Sequence, residues 1–360
     1  MLVAGSGRSG TSLFAGTLQR LGFQVPQPEV PADDSNPRGF AESQWVVDFH
    51  THMLETTRVQ TADARPSAWT LTASIGNDSA EVEQLRAFML EQYSRFNNIV
   101  IKDPRLSWFL PMWRRCADEF AVSTRFVTML RHPAAVVDSK SRYYGNWQGD
   151  VGRAAGWING MLFTERATRE AQRVFVRYDD LLEDWTKVIA RVGETFDLGV
   201  IRNASAPNIR KVTQFIDPSL SRSSNSWGDN RMPSQVRDLC EHVWGLLNSL
   251  AEDGGDTDKT AAQLDEARAA YLELYQNAEA IAQSSIAAAK VAPGAKAAPK
   301  KGAPAGPQKV TALVPRGLRH KVPVRYRRKV LRAVNELRGR TGGTAKKAAA
   351  PAESTVPPAK

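Results

Sequence analysis

Residues 5–12 read GSGRSGTS, a run with the residue types of an anion cradle. A nucleoside-triphosphate loop reads G-x-x-x-x-G-K-[ST], and its lysine reaches the β- and γ-phosphates. Gly5 and Gly10 keep that glycine spacing, but Thr11 stands where the lysine belongs, and the cation, Arg8, sits in the middle of the loop. If a helix starts here, its unbonded N–H groups and its dipole favour a negative ligand, and the hydroxyls of Thr11 and Ser12 add donors. Kinases use the missing lysine beside Mg²⁺ on the group being transferred. Arg8 offers a bidentate fork instead. The loop therefore suits a diphosphate-like group better than a metal-bound triphosphate.

A second candidate lies in LRHPAAVVDSKSRYY, residues 130–144. Arg131 would end a strand, Pro133 would open a helix, and Ser139 would lie nearly two turns inside it. Such a pair can grip a second phosphate; the alternative is a strand cap and an ordinary helix serine. The histidines of HTH at 50–52 suggest a metal pair, but no third ligand is spaced to complete it, and exposed helix histidines are the plainer expectation.

These residues need elements to position them. LVAG at 2–5, NIVIKD at 98–103, TRFVTMLR at 124–131 and RVFVRYD at 173–179 are nearly continuous apolar runs, as in strands buried on both faces. Helical patterns lie between them: 11–21, closed by Gly22; 79–96; 133–144, with proline in its first turn; and 157–172. The alternation predicts an α/β fold, a P-loop-like parallel sheet of about four to five strands flanked by helices, with a helical C-terminal extension. Arg8, Lys102–Asp103, Arg131 and Arg177–Tyr178 would then fall at the carboxyl ends of the strands, the edge at which open α/β sheets bind ligands.

Composition divides the chain. Of 360 residues, 287–360 hold 18 of the 48 Lys/Arg and 2 of the 38 Asp/Glu, so this tail nets +16 while 1–286 nets −6. The basic balance belongs to the tail. We expect an α/β domain over 1–255, a helical extension over 256–289, a disordered Ala/Pro/Lys linker over 290–315, a basic amphipathic helix over 316–340 and a disordered tail over 341–360. In the extension, Leu264, Ala267, Tyr271, Leu274, Ala278 and Ile281 form a heptad stripe. It would dock on its own domain or, less favourably, form a dimer seam. The basic helix suits an anionic membrane surface; a solvated tail or protein partner competes, and nucleic acid is disfavoured. Cys116 and Cys240 give neither a disulfide framework nor a zinc site. No run of 18 apolar residues is present, and the N-terminus reads as a strand, not a signal peptide. We therefore expect a cytoplasmic protein, peripheral at the inner face of the cell membrane if the tail binds there.

Taken together the motifs resemble the sulfotransferases that use 3′-phosphoadenosine 5′-phosphosulfate (PAPS), most closely the bacterial and tyrosylprotein-type branch, which has arginine in the loop. The likeness extends to NPRGFAE at 36–42, IKDPRLSWFLPMW at 101–113, VRYDDLLED at 176–184 and FIDPSLSR at 215–222, in family order over roughly 1–230. It implies that Ser6, Gly7, Arg8, Ser9, Gly10, Thr11 and Ser12 hold the 5′-phosphosulfate, and that Arg131 and Ser139 hold the 3′-phosphate. It further implies Tyr178 on the nucleotide side, although a core aromatic fits there as well, and Arg222 closing over the 3′-phosphate. An acceptor hydroxyl attacks sulfur in line, without a required metal. The implied base is Glu42, with His50 and His52 as rivals and a surface carboxylate paired to Arg38 as the plain alternative. Lys102 would bind the sulfonyl oxygens, and Asp103 would fix Lys102 or a loop arginine. Arg38, Arg105 and His50 would face the acceptor. The basic residue of SKSR at 139–142 departs from the family offset, so Arg142 receives no role. Residues 53–80 and 145–160, with Trp69, Trp147 and Trp157, would shape a pocket for a carbohydrate or lipid-linked glycan. Two other classes stay open: a P-loop nucleotide kinase or triphosphatase, and a membrane-surface binding protein driven by the basic tail.

Overall fold

The computed structural model describes residues 1–77, 79–144, 148–217, 219, 224–228 and 232–291, the last three by backbone alone. The basic helix, linker and tail, along with Arg222 and Trp147, lie outside the described residues. All four strand runs form strands: β1 (Leu2–Ala4), β2 (Ile101–Lys102), β3 (Phe126–Leu130) and β4 (Arg173–Arg177). They make one parallel sheet in the order β2-β1-β3-β4. Val3 aligns with Lys102 on one side and Val127 on the other, and Leu130 aligns with Arg177. The chain leaves β1 toward β2 but leaves β3 toward β4. The loops after these neighbouring strands therefore diverge, opening a crevice at their carboxyl ends.

Helices cover both faces. β1 turns through residues 5–10 into α1 (Thr11–Arg20). α2 (Gln44–Thr57), α3 (Ala68–Ala73) and α4 (Ala80–Arg95) lead to β2, and α5 (Leu110–Glu119) leads to β3. α6 (Pro133–Tyr143) and α7 (Gly149–Thr168) lead to β4. Then follow α8 (Tyr178–Glu183), α9 (Trp185–Thr195), α10 (Gly199–Arg202), α11 (Ala206–Phe215), α12 (Ser234–Ser249) and α13 (Asp258–Val291). Alternate strand residues enter different cores. Leu2, Ala4, Ile101 and Phe126 pack against α2, α4 and α5. Val3, Val127, Met129, Val174 and Val176 pack against α1 and α9. Leu130 and Phe175 join a third cluster with α6, α7, α12 and α13.

One helix differs from its sequence pattern. The pattern predicts a start at Trp157, but α7 begins at Gly149 and ends at Thr168. Its glycines read as loop in the sequence, yet Gly156 has a packing role: a Cβ there would lie 2.6 Å from the Ala62 carbonyl oxygen. The heptad stripe divides. Leu264, Ala267 and Tyr271 are buried in the third cluster, whereas Ala278 is exposed and Ile281 is 75% exposed.

Glu165 ties α7, β4 and α13 together from full burial. Its carboxylate accepts from Arg169 Nε (3.0 Å) and Nη2 (2.7 Å) and from Arg173 Nη1 (3.1 Å), and Arg169 also pairs with Asp265 of α13 at 2.8 Å. Removing one partner from a buried ion cluster leaves the others uncompensated. We expect Glu165→Gln to lower unfolding free energy by about 3–5 kcal/mol in denaturant titration; an unchanged midpoint would mean that Asp256 and Asp265 suffice for the arginines.

Candidate active site

The glycine loop is shaped by two close approaches. Gly5 has φ 135°, and a Cβ there would lie 2.7 Å from the Met129 carbonyl oxygen; Gly10 has φ 85°, and a Cβ would lie 2.3 Å from the Tyr178 ring. Gly10 opens α1 without a side-chain cap, so the first-turn N–H groups keep their capacity for an anion. Arg8 sits between them at φ 75°, a left-handed conformation costing roughly 1–2 kcal/mol for a residue with a side chain.

Contacts from the β3 side hold it there. Arg131 Nη1 donates to the Arg8 carbonyl oxygen (2.8 Å), Arg8 Nε donates to Ser139 Oγ (3.0 Å) and Arg8 Nη1 to the Ser35 carbonyl oxygen (3.1 Å). The Arg8 guanidinium lies 4.4 Å from the Tyr143 ring centre, and the Arg131 guanidinium 4.4 Å from that of Tyr178. Tyr178 packs under Gly10 and lies against the Arg131 guanidinium at the wall of the cleft.

On the β2 side, Lys102 Nζ donates to Ser12 Oγ (2.7 Å), to the Phe40 carbonyl oxygen (3.3 Å) and to Glu42 Oε1 in a very short contact. Both partners of that ion pair are buried. Burial pushes the Glu42 carboxyl above its ordinary range, and the Lys102 charge offsets part of the shift. Glu42 therefore pairs with Lys102, not with Arg38. Arg38 bonds Asp217 (3.0 Å) and the carbonyl oxygens of Gln214 and Phe215, clipping the 34–39 segment to the end of α11.

Arg8, Thr11, Ser12, Glu42, Lys102, Arg131, Ser139 and Tyr178 line one cleft of about 410 Å³, whose rim includes Arg38 and Arg105. Arg8, bonded to both Arg131 and Ser139, thus stands on the β3 side of the cleft, and Lys102 stands on the β2 side against a buried carboxylate. These cations, with the hydroxyls and first-turn N–H groups, fit a nucleotide that carries anionic groups.

His50 is not brought to the cleft. It is fully buried: Trp113 Nε1–H donates to His50 Nε2 (2.9 Å), which leaves the proton on Nδ1 to bond Asp103 Oδ2 (3.2 Å). With both nitrogens committed, it neither contacts an acceptor nor serves as the base. It is also not the exposed helix histidine the sequence suggests; His52 is the exposed one. Asp103 holds His50 and Arg105 (2.9 Å), not Lys102 or a loop arginine. Burial would raise the Asp103 carboxyl, but the bond from His50, with help from the Arg105 charge, holds it below its usual range. Ser6 accepts a bond from Lys140 Nζ (3.1 Å), while the buried Ser9 Oγ has no partner among the described residues.

Lys140 carries no role in the sequence motifs. It is 7% exposed, and burial, reinforced by the Arg153 charge, pulls its amine from 10.5 down to about 8. One signal was available: it lies four and three residues after Val136 and Val137, on the buried stripe of α6. Because the unfolded chain holds this proton more tightly, the burial penalty is full below about pH 8 and vanishes as pH rises toward 10.5. Lys140→Met should therefore gain on the order of 1 kcal/mol over wild type at pH 7, and the gain should shrink across that window in thermal melts. A lower melting temperature at every pH would make Lys140 a structural strut.

No protein-family model matches the sequence, and no curated protein matches it. Among solved structures, the sulfotransferase domain from the Synechococcus PCC 7002 olefin synthase aligns with 70% of this chain and 94% of its own length, at 16% identity and a TM-score of 0.41. A likeness of that degree leaves the function to be argued from the residues of the cleft.

Proposed function

We propose that the chain is a sulfotransferase that moves a sulfonate from PAPS to an acceptor hydroxyl. One observation carries this: a single cleft gathers the glycine loop, the Arg131–Ser139 pair and the buried Glu42–Lys102 pair. A nucleotide kinase would want a lysine at position 11, where Thr11 stands. In this reading Arg131 and Ser139 bind the 3′-phosphate. Arg8 and the first-turn N–H groups of α1 stabilise charge on the departing 5′-phosphate oxygen. Lys102 turns from Glu42 to the sulfonyl oxygens, which releases Glu42 to take the acceptor's proton. The acceptor oxygen forms its bond to sulfur as the sulfur–phosphate oxygen bond breaks, and the leaving 3′-phosphoadenosine 5′-phosphate keeps that electron pair. The basic segment over 316–340 would hold the enzyme at an anionic membrane surface, a proposal that rests on the sequence.

Calorimetric titration tests the donor site. 3′-Phosphoadenosine 5′-phosphate should bind without Mg²⁺ and more tightly than 5′-AMP, and Arg131→Ala should weaken it by about 2–4 kcal/mol. Preference for ATP with Mg²⁺ would replace this reading with a kinase.

Donor turnover with a phenol or water as acceptor tests the base. Glu42→Gln should keep nucleotide affinity and lose about 10²–10⁴ in rate. Glu42 acts when ionised, so the acid limb of kcat/KM should fall above the ordinary glutamate value of roughly 4.3 and vanish in the variant. Near-normal turnover would move the base elsewhere.

A further inference from the structure

Beside the donor cleft lies a larger cavity of about 780 Å³, and Gly7, Pro104, Arg105 and Tyr144 line both. Gly7 and Pro104 stand side by side where the two meet: a Cβ on Gly7 would lie 3.7 Å from Pro104 Cβ. Leu54, Val59, Trp108 and Met161 give the cavity apolar walls, while among the described lining residues Arg58, Arg105, Lys140 and Arg153 supply four cations against one acid, Glu55.

Two buried donors there are poorly served. Lys140 has the neutral Ser6 hydroxyl as its bonding partner and, among the described residues, no carboxylate within ion-pair distance. Trp157 is 1% exposed, and its Nε1–H, closed off from solvent in this state, has no partner among the described residues. Each such group costs stability unless something accepts from it. Arg153, by contrast, is already bonded to Asp150 (2.7 Å) and Ser141 (2.6 Å). The sequence expected Trp157 at an acceptor pocket; it gave no sign of the charge.

Building on the sulfotransfer reading, we infer that this cavity is the acceptor pocket, and that it selects a hydroxyl compound bearing an anionic group, a carboxylate or an ester anion, bound by Lys140 and Trp157 Nε1–H. The apolar walls hold the acceptor's frame, and its hydroxyl reaches the donor cleft past Pro104 and Arg105.

The test compares p-hydroxyphenylpropionate with its neutral amide, which share one frame and differ in charge. Calorimetry uses the full chain with its donor cleft filled by 3′-phosphoadenosine 5′-phosphate. The acid should bind about tenfold more tightly than the amide. Lys140→Met should abolish that preference while leaving the amide's affinity near wild type, and Trp157→Phe, which keeps the ring and removes the N–H, should reduce it. Equal binding of the two probes, binding of neither, or a preference indifferent to both substitutions overturns the inference. So does a preference that disappears when the nucleotide occupies its cleft, because the anion would then sit there. If Lys140→Met fails to fold, the Trp157→Phe result decides. The two readings fail separately: lack of nucleotide binding removes the donor assignment, whereas a Lys140-dependent preference in nucleotide-free protein would still establish an anion pocket.

Discussion

The bond from Arg131 to the Arg8 carbonyl oxygen joins the loop after β1 to the loop after β3, and the geometry of the cleft depends on it. Arg8 could relax from its left-handed conformation if that oxygen were unheld. Held there, it turns its guanidinium to Ser139 and Ser35, so one residue links three segments. The glycines on either side permit the arrangement. β3 passes too near Gly5, and Tyr178 too near Gly10, for any side chain. The ligand groups of the loop are thus set by contacts with neighbouring strands as much as by the loop's own sequence.

The Glu42–Lys102 pair adds chemistry to that frame. Burying two charges costs about as much as their attraction returns, so the pair is poorly explained as a stabilising device. Its position explains it better. Lys102 ends β2 at the foot of α1, within reach of Ser12, and Glu42 arrives from a segment clipped down by Arg38. A carboxylate raised by burial and restrained by a movable ammonium can take a proton when that ammonium finds another anion.

His50 and Lys140 show two fates for a buried polar group. His50 is satisfied on both nitrogens, by Trp113 and Asp103, and so fixes α2 against α5 and the end of β2. Lys140, served by one hydroxyl, retains capacity for a ligand. Both residues are buried, and the difference between structure and recognition lies in the count of partners.

The sequence by itself determined the strands, the glycine loop and the assignment of Arg8, Lys102 and Arg131 to strand ends, because those depend on apolar runs and on turn chemistry within a few residues. It also carried the spacing of Arg131 and Ser139. The tertiary structure decided the partners. That Glu42 meets Lys102 across 60 residues, that His50 is sealed behind Trp113, that Gly156 of α7 packs on Ala62 and that Lys140 backs onto Ser6 are all long-range contacts. Local pattern shows which face of a helix is buried. Whether a charge on that face meets a counter-charge depends on which distant segment packs against it.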